Sequence, residues 1–222
     1  MKKLYGGLNQ MPVEKPEKTT DQIIYQDNLQ EFLGSLIYQV NVEFVELSLN
    51  SIKRKGMKKL LAFLRETDYY EAPASTRFHN NDFGGLVDHS IDVTKRFTKL
   101  CAQDYPSFPF ESGIICGLLH DVCKIGTYFP AFNKNGSRSK TPYKLEDVFP
   151  VGHGDKSIII LQQIPFELTL QEMLVIRWHM GQYDYTWRQY EDKVTKIEPA
   201  VKLFSACDLI SSVIGGIQNG DS

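Results

Sequence analysis

The sequence predicts an all-α protein, a compact bundle of many helices with at most minor peripheral β structure. Apolar residues recur at helical spacing in several segments, and Gly, Pro and polar residues separate those segments. The clearest helical stripe is formed by Leu86, His89, Val93, Phe97 and Leu100, at spacings of three, four, four and three. Runs that alternate apolar and polar residues, as strands do, are few, and no internal repeat is present.

The composition is that of an ordinary globular protein. Of the 222 residues, 42% are hydrophobic and 23% are charged, and the net charge is -2. This charge excludes a global basic field that would attract nucleic acid. No apolar run is long enough to span a membrane, and the first residues lack the apolar core of a signal peptide, so we expect a cytoplasmic protein with no membrane partner. The scattered cysteines are expected to be reduced and buried; they are Cys101, Cys116, Cys123 and Cys207.

The N-terminal third is expected to be accessory. Residues 1–20 carry Gly, Pro and charges, and predict a flexible arm. Residues 21–74 predict a helical extension packed on the core, in which residues 53–65 are a clear helix. Within this extension, residues 40–47 fit a strand and a helix about equally.

The remaining residues, 75–222, predict one helical domain. Gly84-Gly85 opens a helix that Pro106 and Pro109 close, and Thr169 with Glu172 forms a capping-box pattern. The other predicted helices cover residues 111–121, 156–163 and a segment from Pro199 onward. Two stretches without helical periodicity, 123–152 and 183–194, are predicted to be loops, and the first is long enough to be functional.

Polar residues that could ligate a metal stand on or beside the apolar faces of these helices. They are His89, His120, Asp121, His153, His179 and Asp208. Each has a plain alternative, since a single buried histidine is more often hydrogen-bonded in the core than bound to metal. If none of the six residues bound metal, each would need a separate hydrogen-bond or ion-pair partner, because unpaired polar groups in an apolar setting are costly. One metal site accounts for His89, His120, Asp121 and Asp208 together, and a second accounts for His153 and His179.

The order and local context of these residues resemble the HD-domain superfamily of metal-dependent phosphohydrolases. Residues 84–90, Gly-Gly-Leu-Val-Asp-His-Ser, resemble the family's GGLxxHS element, and residues 118–126, Leu-Leu-His-Asp-Val-Cys-Lys-Ile-Gly, resemble its LLHDIGKxG element. Gly152-His153-Gly154 with Ser157, and residues 177–181 around His179, resemble further elements of the two-metal branch. The resemblance covers roughly residues 75 to 215.

The resemblance implies two divalent transition-metal ions, Mn, Fe, Co, Ni or Zn, bridged by Asp121 and bound by the six residues listed above. It implies hydrolysis of a phosphoester through a metal-bridging water, with Asp121 and Lys124 as the catalytic residues. The expected partner is a small phosphorylated substrate, a nucleotide or short oligonucleotide. Long nucleic acid is not favoured, because the chain has no OB-fold module ahead of this domain and a single His at position 179. The GYP motif of the cyclic-dinucleotide branch is also absent.

Substrate contacts are expected from the long predicted loop and its surroundings. Lys124, Arg138, Lys140 and Lys144 are candidate phosphate ligands, and His79 is a candidate to point into the site. The alternative for the loop cations is a solvated surface. Tyr183, Tyr185 and Trp187 could stack on a base or line the rim, whereas Trp178 is expected in the core.

Two other function classes fit the same residues. Mixed-valent di-iron oxygenases of the HD superfamily share the six-ligand set and act on small organic substrates with O₂. A binding or regulatory module would retain the metals without turnover. Oxygen uptake with a polyol or phosphonate would identify an oxygenase. Metal binding without phosphoester turnover would identify a binding or regulatory module.

Overall fold

The fold is known from a computed structural model that describes residues 20–76 and 80–218, apart from the side chains of 20–31, 138, 217 and 218. The helices in these ranges are α1 Thr20–Asn50, α2 Met57–Glu66, α3 Gly85–Asp104, α4 Phe110–Leu119, α5 His153–Gln163, α6 Leu170–Trp178, α7 Trp187–Ile197 and α8 Ala200–Gln218. The strands are β1 Tyr128–Phe132 and β2 Arg138–Leu145, which pair antiparallel. The prediction of an all-α bundle with minor β structure is confirmed.

The chain divides after residue 37 into two units, residues 1–37 and 38–222. In the first unit the described residues are the helical ones of α1 from Thr20, and Phe32, Leu33, Leu36 and Ile37 are exposed. The predicted flexible arm, residues 1–20, lies outside the described residues except for Thr20. Residues 40–47 are helical, so the strand alternative for them is wrong.

One hydrophobic core runs through the second unit. Its fully buried members include Leu49 of α1, Leu60 of α2, Phe97 of α3, Leu118 of α4 and Phe204 of α8. Residue 74 is the predicted boundary between the N-terminal extension and the metal-dependent domain. Buried residues on both sides of it belong to this one cluster, so the core does not mark the boundary, which stays a prediction.

The structure differs from the sequence prediction in two segments that were expected to be loops. Residues 128–145 form the β1–β2 hairpin, whose turn contains Gly136 at φ 81°. Residues 187–197 form α7, of which only Trp187 and Val194 are buried. The apolar residues of α7, Trp187, Tyr190, Val194 and Ile197, recur at spacings of three, four and three, so the sequence carried a helical stripe that the loop prediction missed.

Glycine allows α3 and α4 to approach closely beside the candidate site. A Cβ atom added at Gly117 would lie 2.2 Å from Oγ1 of Thr94, so no larger residue fits there without movement. Gly117 is one helical turn before His120, and the approach brings the rings of His89 and His120 to a centroid separation of 5.4 Å. The local sequence of α4 therefore sets the distance between two predicted metal ligands.

Among the described helices, none is both long enough and apolar enough to cross a membrane.

A buried ion pair anchors the N-terminal end of α6. The Glu172 carboxylate is fully buried, and Arg54 binds it through two hydrogen bonds of 2.8 and 3.0 Å. Ser112 donates a third hydrogen bond at 2.7 Å, and the backbone N–H of Thr169 donates a fourth at 2.7 Å. The Thr169 hydroxyl accepts from the Glu172 backbone, so the predicted capping box is confirmed.

We expect Arg54→Ala to lower the free energy of unfolding by about 3–5 kcal/mol, because it leaves a buried carboxylate without its counter-charge. The matched control is Lys53→Ala, which removes the same charge from an exposed neighbouring position and should change the free energy of unfolding by less than about 0.5 kcal/mol. Urea denaturation of the two variants measures the difference. Equal stabilities would contradict a structural role for the Arg54–Glu172 pair.

Candidate metal centre

Five helices and one turn bring the predicted ligands together at a single cavity. His89 comes from α3, His120 follows α4, His153 begins α5, His179 follows α6 and Asp208 lies on α8. Asp121 stands in the turn between α4 and the short 3-10 turn Val122–Lys124. His89, Asp121, His153, His179 and Asp208 line the cavity, and His120 lies fully buried behind them. Distant parts of the sequence therefore meet as the ligand pattern predicts.

The same local backbone contact orients the rings of His120 and His179. Each is the first residue after a helix, and each ring Nδ1 faces the carbonyl oxygen three residues earlier, Gly117 at 2.9 Å and Ile176 at 2.8 Å. A carbonyl only accepts hydrogen bonds, so Nδ1 carries the proton in both rings. In its neutral form each ring then presents the lone pair of Nε2 to the cavity side, and the two ring centroids lie 5.0 Å apart.

Both oxygens of the Asp121 carboxylate face these lone pairs. Oδ2 is 3.4 Å from Nε2 of His120 and 3.9 Å from Nε2 of His89. Oδ1 is 3.4 Å from Nε2 of His179. Asp121 therefore turns one oxygen to the His89–His120 side and the other to the His179 side.

A cation fits between these groups. The Nε2 atoms of His120 and His179 are buried and have no hydrogen-bond partner among the described residues. Lone pairs of neutral rings that face a carboxylate repel it unless a proton or a metal ion lies between them. Among the described residues, groups with ligand atoms within 4.8 Å of one another include His89, His120 and Asp208, and also His120, Asp121 and His179. These buried groups could hold a metal ion, and the imidazole and carboxylate donors suit a divalent transition metal.

The electrostatics keep the carboxylates ionised. Burial alone would raise the pKa of Asp121, but the Lys124 ammonium 2.7 Å away and the His120 imidazole outweigh it and hold that pKa well below its usual range. Burial opposes ionisation of Asp208 in the same way. The hydrogen bond with His89, at 3.0 Å, and the neighbouring imidazoles nevertheless lower its pKa to about 2. Both side chains are therefore ready to ligate a cation near neutral pH.

Cys123 is a candidate ligand that is not among the predicted metal ligands, although the sequence places it next to His120 and Asp121. Its Sγ lies 3.8 Å from Oδ1 of Asp121 and 3.5 Å from Nδ1 of His153, so these three side chains form another group with the spacing of metal ligands. Burial raises the pKa of the thiol to about 12. The available signal was its position two residues after Asp121, in a turn that points side chains back toward the carboxylate. The prediction that all four cysteines are unpaired and buried is confirmed.

α5 is positioned by a second close helix contact. A Cβ atom added at Gly154 would lie 2.1 Å from the carbonyl oxygen of Arg177, so α5 and α6 touch next to His153 and His179. Ser157, one turn further along α5, donates a hydrogen bond to the His120 carbonyl at 2.6 Å and accepts one from the Cys123 backbone at 3.2 Å. These contacts attach α5 to the turn that carries Asp121.

Some predicted substrate ligands lie elsewhere. Lys124, Tyr183 and Trp187 line the cavity, whereas Lys140 and Lys144 are exposed on β2 and do not line it. Lys144 pairs with Glu146. The Arg138 side chain and His79 lie outside what the structure describes, and a phosphate-binding role for the three loop cations stays a prediction. Trp178 is buried in the core, as expected, and Tyr185 is 90% exposed.

No family model matches the chain, and neither the curated proteins nor the solved structures contain a significant match to it.

We expect Gly154→Ala to weaken metal binding by roughly 10- to 100-fold, because the new methyl group would push α5, and with it His153, away from α6. Gly152→Ala is the matched control, since the nearest atom to its added Cβ is 3.8 Å away and its φ of -69° suits alanine. Titration of both metal-free variants with Co²⁺, followed by visible absorption, gives the affinities. Circular dichroism checks that each variant is folded, and equal Co²⁺ affinities would contradict the positioning role of Gly154.

Proposed function

We propose that this chain is a metal-dependent phosphohydrolase of the HD type that hydrolyses a phosphoester of a nucleotide or short oligonucleotide. The observation that carries the proposal is the Asp121 carboxylate, which faces the partnerless Nε2 atoms of His120 and His179 and contacts Lys124 at a cavity. A buried carboxylate between imidazole lone pairs is suited to divalent ions. A lysine beside it is suited to a phosphoryl group.

Two ions are proposed, with Asp121 between them. His89, His120, Asp121 and Asp208 would hold one, and Asp121, His153 and His179 would hold the other. The division is supported by Asp121 itself, whose Oδ2 faces His89 and His120 while its Oδ1 faces His179. Carboxylates are able to use their two oxygens for two metals, whereas an imidazole offers one ligand atom.

When bound, the ions supply a water acidic enough to attack phosphorus and positive charge that neutralises the phosphoryl oxygens. The chain supplies position and charge. Lys124 is buried, lines the cavity and is fixed by its 2.7 Å contact with Asp121, so its ammonium is held where a phosphoryl oxygen would enter. Asp121 raises the pKa of Lys124 against the effect of burial, so the ammonium stays charged at neutral pH.

Metal content tests the proposed sharing of Asp121. We expect the wild-type protein, expressed with sufficient Mn²⁺ or Fe²⁺, to carry two ions per chain, His179→Ala to carry one, and Asp121→Ala to carry none, because only Asp121 would serve both sites. Elemental analysis measures these ratios. Asp104→Ala, at an exposed position at the end of α3, is the control for loss of one carboxylate and should keep both ions. A wild-type protein without metal would refute the proposal.

Hydrolysis should depend on Lys124. We expect Lys124→Ala to lower kcat by roughly 10- to 1000-fold, since the ammonium would meet charge that develops on the phosphoryl group in the transition state. Lys134→Ala removes the same charge from an exposed residue outside the cavity and should leave kcat unchanged. The measurement is release of phosphate or nucleoside from a panel of mono- and diesters with Mn²⁺. EDTA should abolish the activity.

The same panel separates the proposal from the oxygenase alternative. A metal-loaded protein that leaves every phosphoester intact but consumes O₂ with a polyol or phosphonate would be a di-iron oxygenase. A protein that binds metal and does neither would be a binding module.

A further inference from the structure

The cavity at the candidate metal centre is much larger than a phosphoryl group requires. Its volume is about 1050 Å³, while small-molecule sites commonly measure roughly 300–1,000 Å³. The predicted ligands form only part of its lining. The rest of the cavity must therefore accommodate the organic part of a ligand.

One wall of that remaining space is a stripe of α8. Leu209, Ser212, Val213 and Gly216 follow Asp208 along the cavity at helical spacing. At a rise of about 1.5 Å per residue, the eight residues from Asp208 to Gly216 extend the wall about 12 Å from the metal centre. None of these four residues is charged. We call this part of the cavity the α8 arm.

Aromatic side chains also line the cavity. Trp187 lines the cavity and is itself only 5% exposed, because it packs on Trp178 with ring centroids 5.7 Å apart. Tyr183 lines the cavity as well and is 65% exposed. Leu209 and Val213 line the same cavity from α8 and have 41% and 54% of their surface exposed, so apolar surface is open to a ligand. An aromatic or aliphatic group would cover that surface, and its burial is favourable.

The charges around the cavity are already matched. Among the described lining residues the ammonium groups are those of Lys124 and Lys202, which pair with Asp121 at 2.7 Å and Glu191 at 2.9 Å. The α8 arm offers no cation among its described residues to a second charged group of a ligand. A carboxylate or further phosphate placed there would lose water without gaining a counter-charge, which is costly.

We propose that the α8 arm binds an uncharged aromatic or apolar group, so that the substrate is a phosphoester with its only charged group at the metal centre. This inference rests on the proposed phosphohydrolase function and narrows its substrate class, since it excludes the short oligonucleotide, whose further phosphates are charged. Leu209 and Val213 are then residues that determine specificity, and they do not take part in the bond cleavage.

The test uses phosphonates, whose P–C bond resists hydrolysis. Calorimetry of the Mn²⁺-loaded protein should show that phenylphosphonate binds roughly 10- to 100-fold more tightly than methylphosphonate, as expected when a phenyl ring is buried. 4-Carboxyphenylphosphonate, with the same ring and an added charge, should bind about as weakly as methylphosphonate. Equal affinities of phenyl- and methylphosphonate, or tighter binding of the carboxylated probe, would overturn the proposal.

A pair of variants locates the binding to the arm. Val213→Asp places a charge on the arm and should remove the preference for phenylphosphonate over methylphosphonate. Ile210→Asp is the matched control, because Ile210 is exposed on α8 and does not line the cavity, and it should keep the preference. Loss of the preference in both variants, or in neither, would refute the assignment to the arm.

The outcomes separate this inference from the function on which it rests. One outcome is a protein that prefers phenylphosphonate to methylphosphonate and yet hydrolyses no phosphoester. That outcome supports ligand binding at the α8 arm and rejects the proposed hydrolysis. Hydrolysis of phosphoesters by a protein that does not distinguish the two phosphonates supports the hydrolysis and overturns the arm.

Discussion

The structure around the candidate site depends on one electrostatic constraint. A buried carboxylate, Asp121, faces imidazole nitrogens that carry lone pairs, and Lys124 is the cation beside it. Such an arrangement repels itself unless a cation or proton completes it, and in a water-poor interior the repulsion is strong. The backbone carbonyls that bind Nδ1 of His120 and His179 give the neutral rings no freedom to turn their protons inward. The fold therefore maintains a set of acceptors that a divalent ion would satisfy.

Close helix packing makes this arrangement possible. Gly117 lets α4 touch α3 one turn before His120, and Gly154 lets α5 touch α6 beside His153. At the other end of α6, the Arg54–Glu172 pair and the Thr169 cap fix the helix that ends at His179. α6 has only nine residues, so an error in the position of its first turn would be transmitted to its last. A buried ion pair far from the site in sequence thus contributes to ligand geometry through one short helix.

The cavity is lined by two chemically different sets of residues. The predicted metal ligands and Lys124 form one set, and Leu209, Val213 and Trp187 form an apolar set. An apolar wall next to a charged centre excludes water from it and so strengthens each electrostatic interaction there. The same wall selects ligands by the part of the molecule that does not react. Reaction and selection would therefore lie on adjacent turns of α8, with Asp208 on one and Val213 on the next.

The sequence by itself determined the helical class and most helix positions, because apolar periodicity, the Thr169–Glu172 cap and paired glycines are local signals. It also identified the six histidine and aspartate residues that the structure brings together, because their order and local sequence contexts can be recognised without the structure. It did not reveal the β1–β2 hairpin, whose first strand has no fully buried residue, and α7 was missed although its apolar residues recur at helical spacing. Only the tertiary structure decided that Cys123 lies beside Asp121 and His153, that Lys140 and Lys144 lie away from the cavity, and that α8 forms an apolar arm. The reason is physical: which side chains share a cavity depends on how helices distant in sequence pack, and glycine contacts such as Gly117 against Thr94 set that packing.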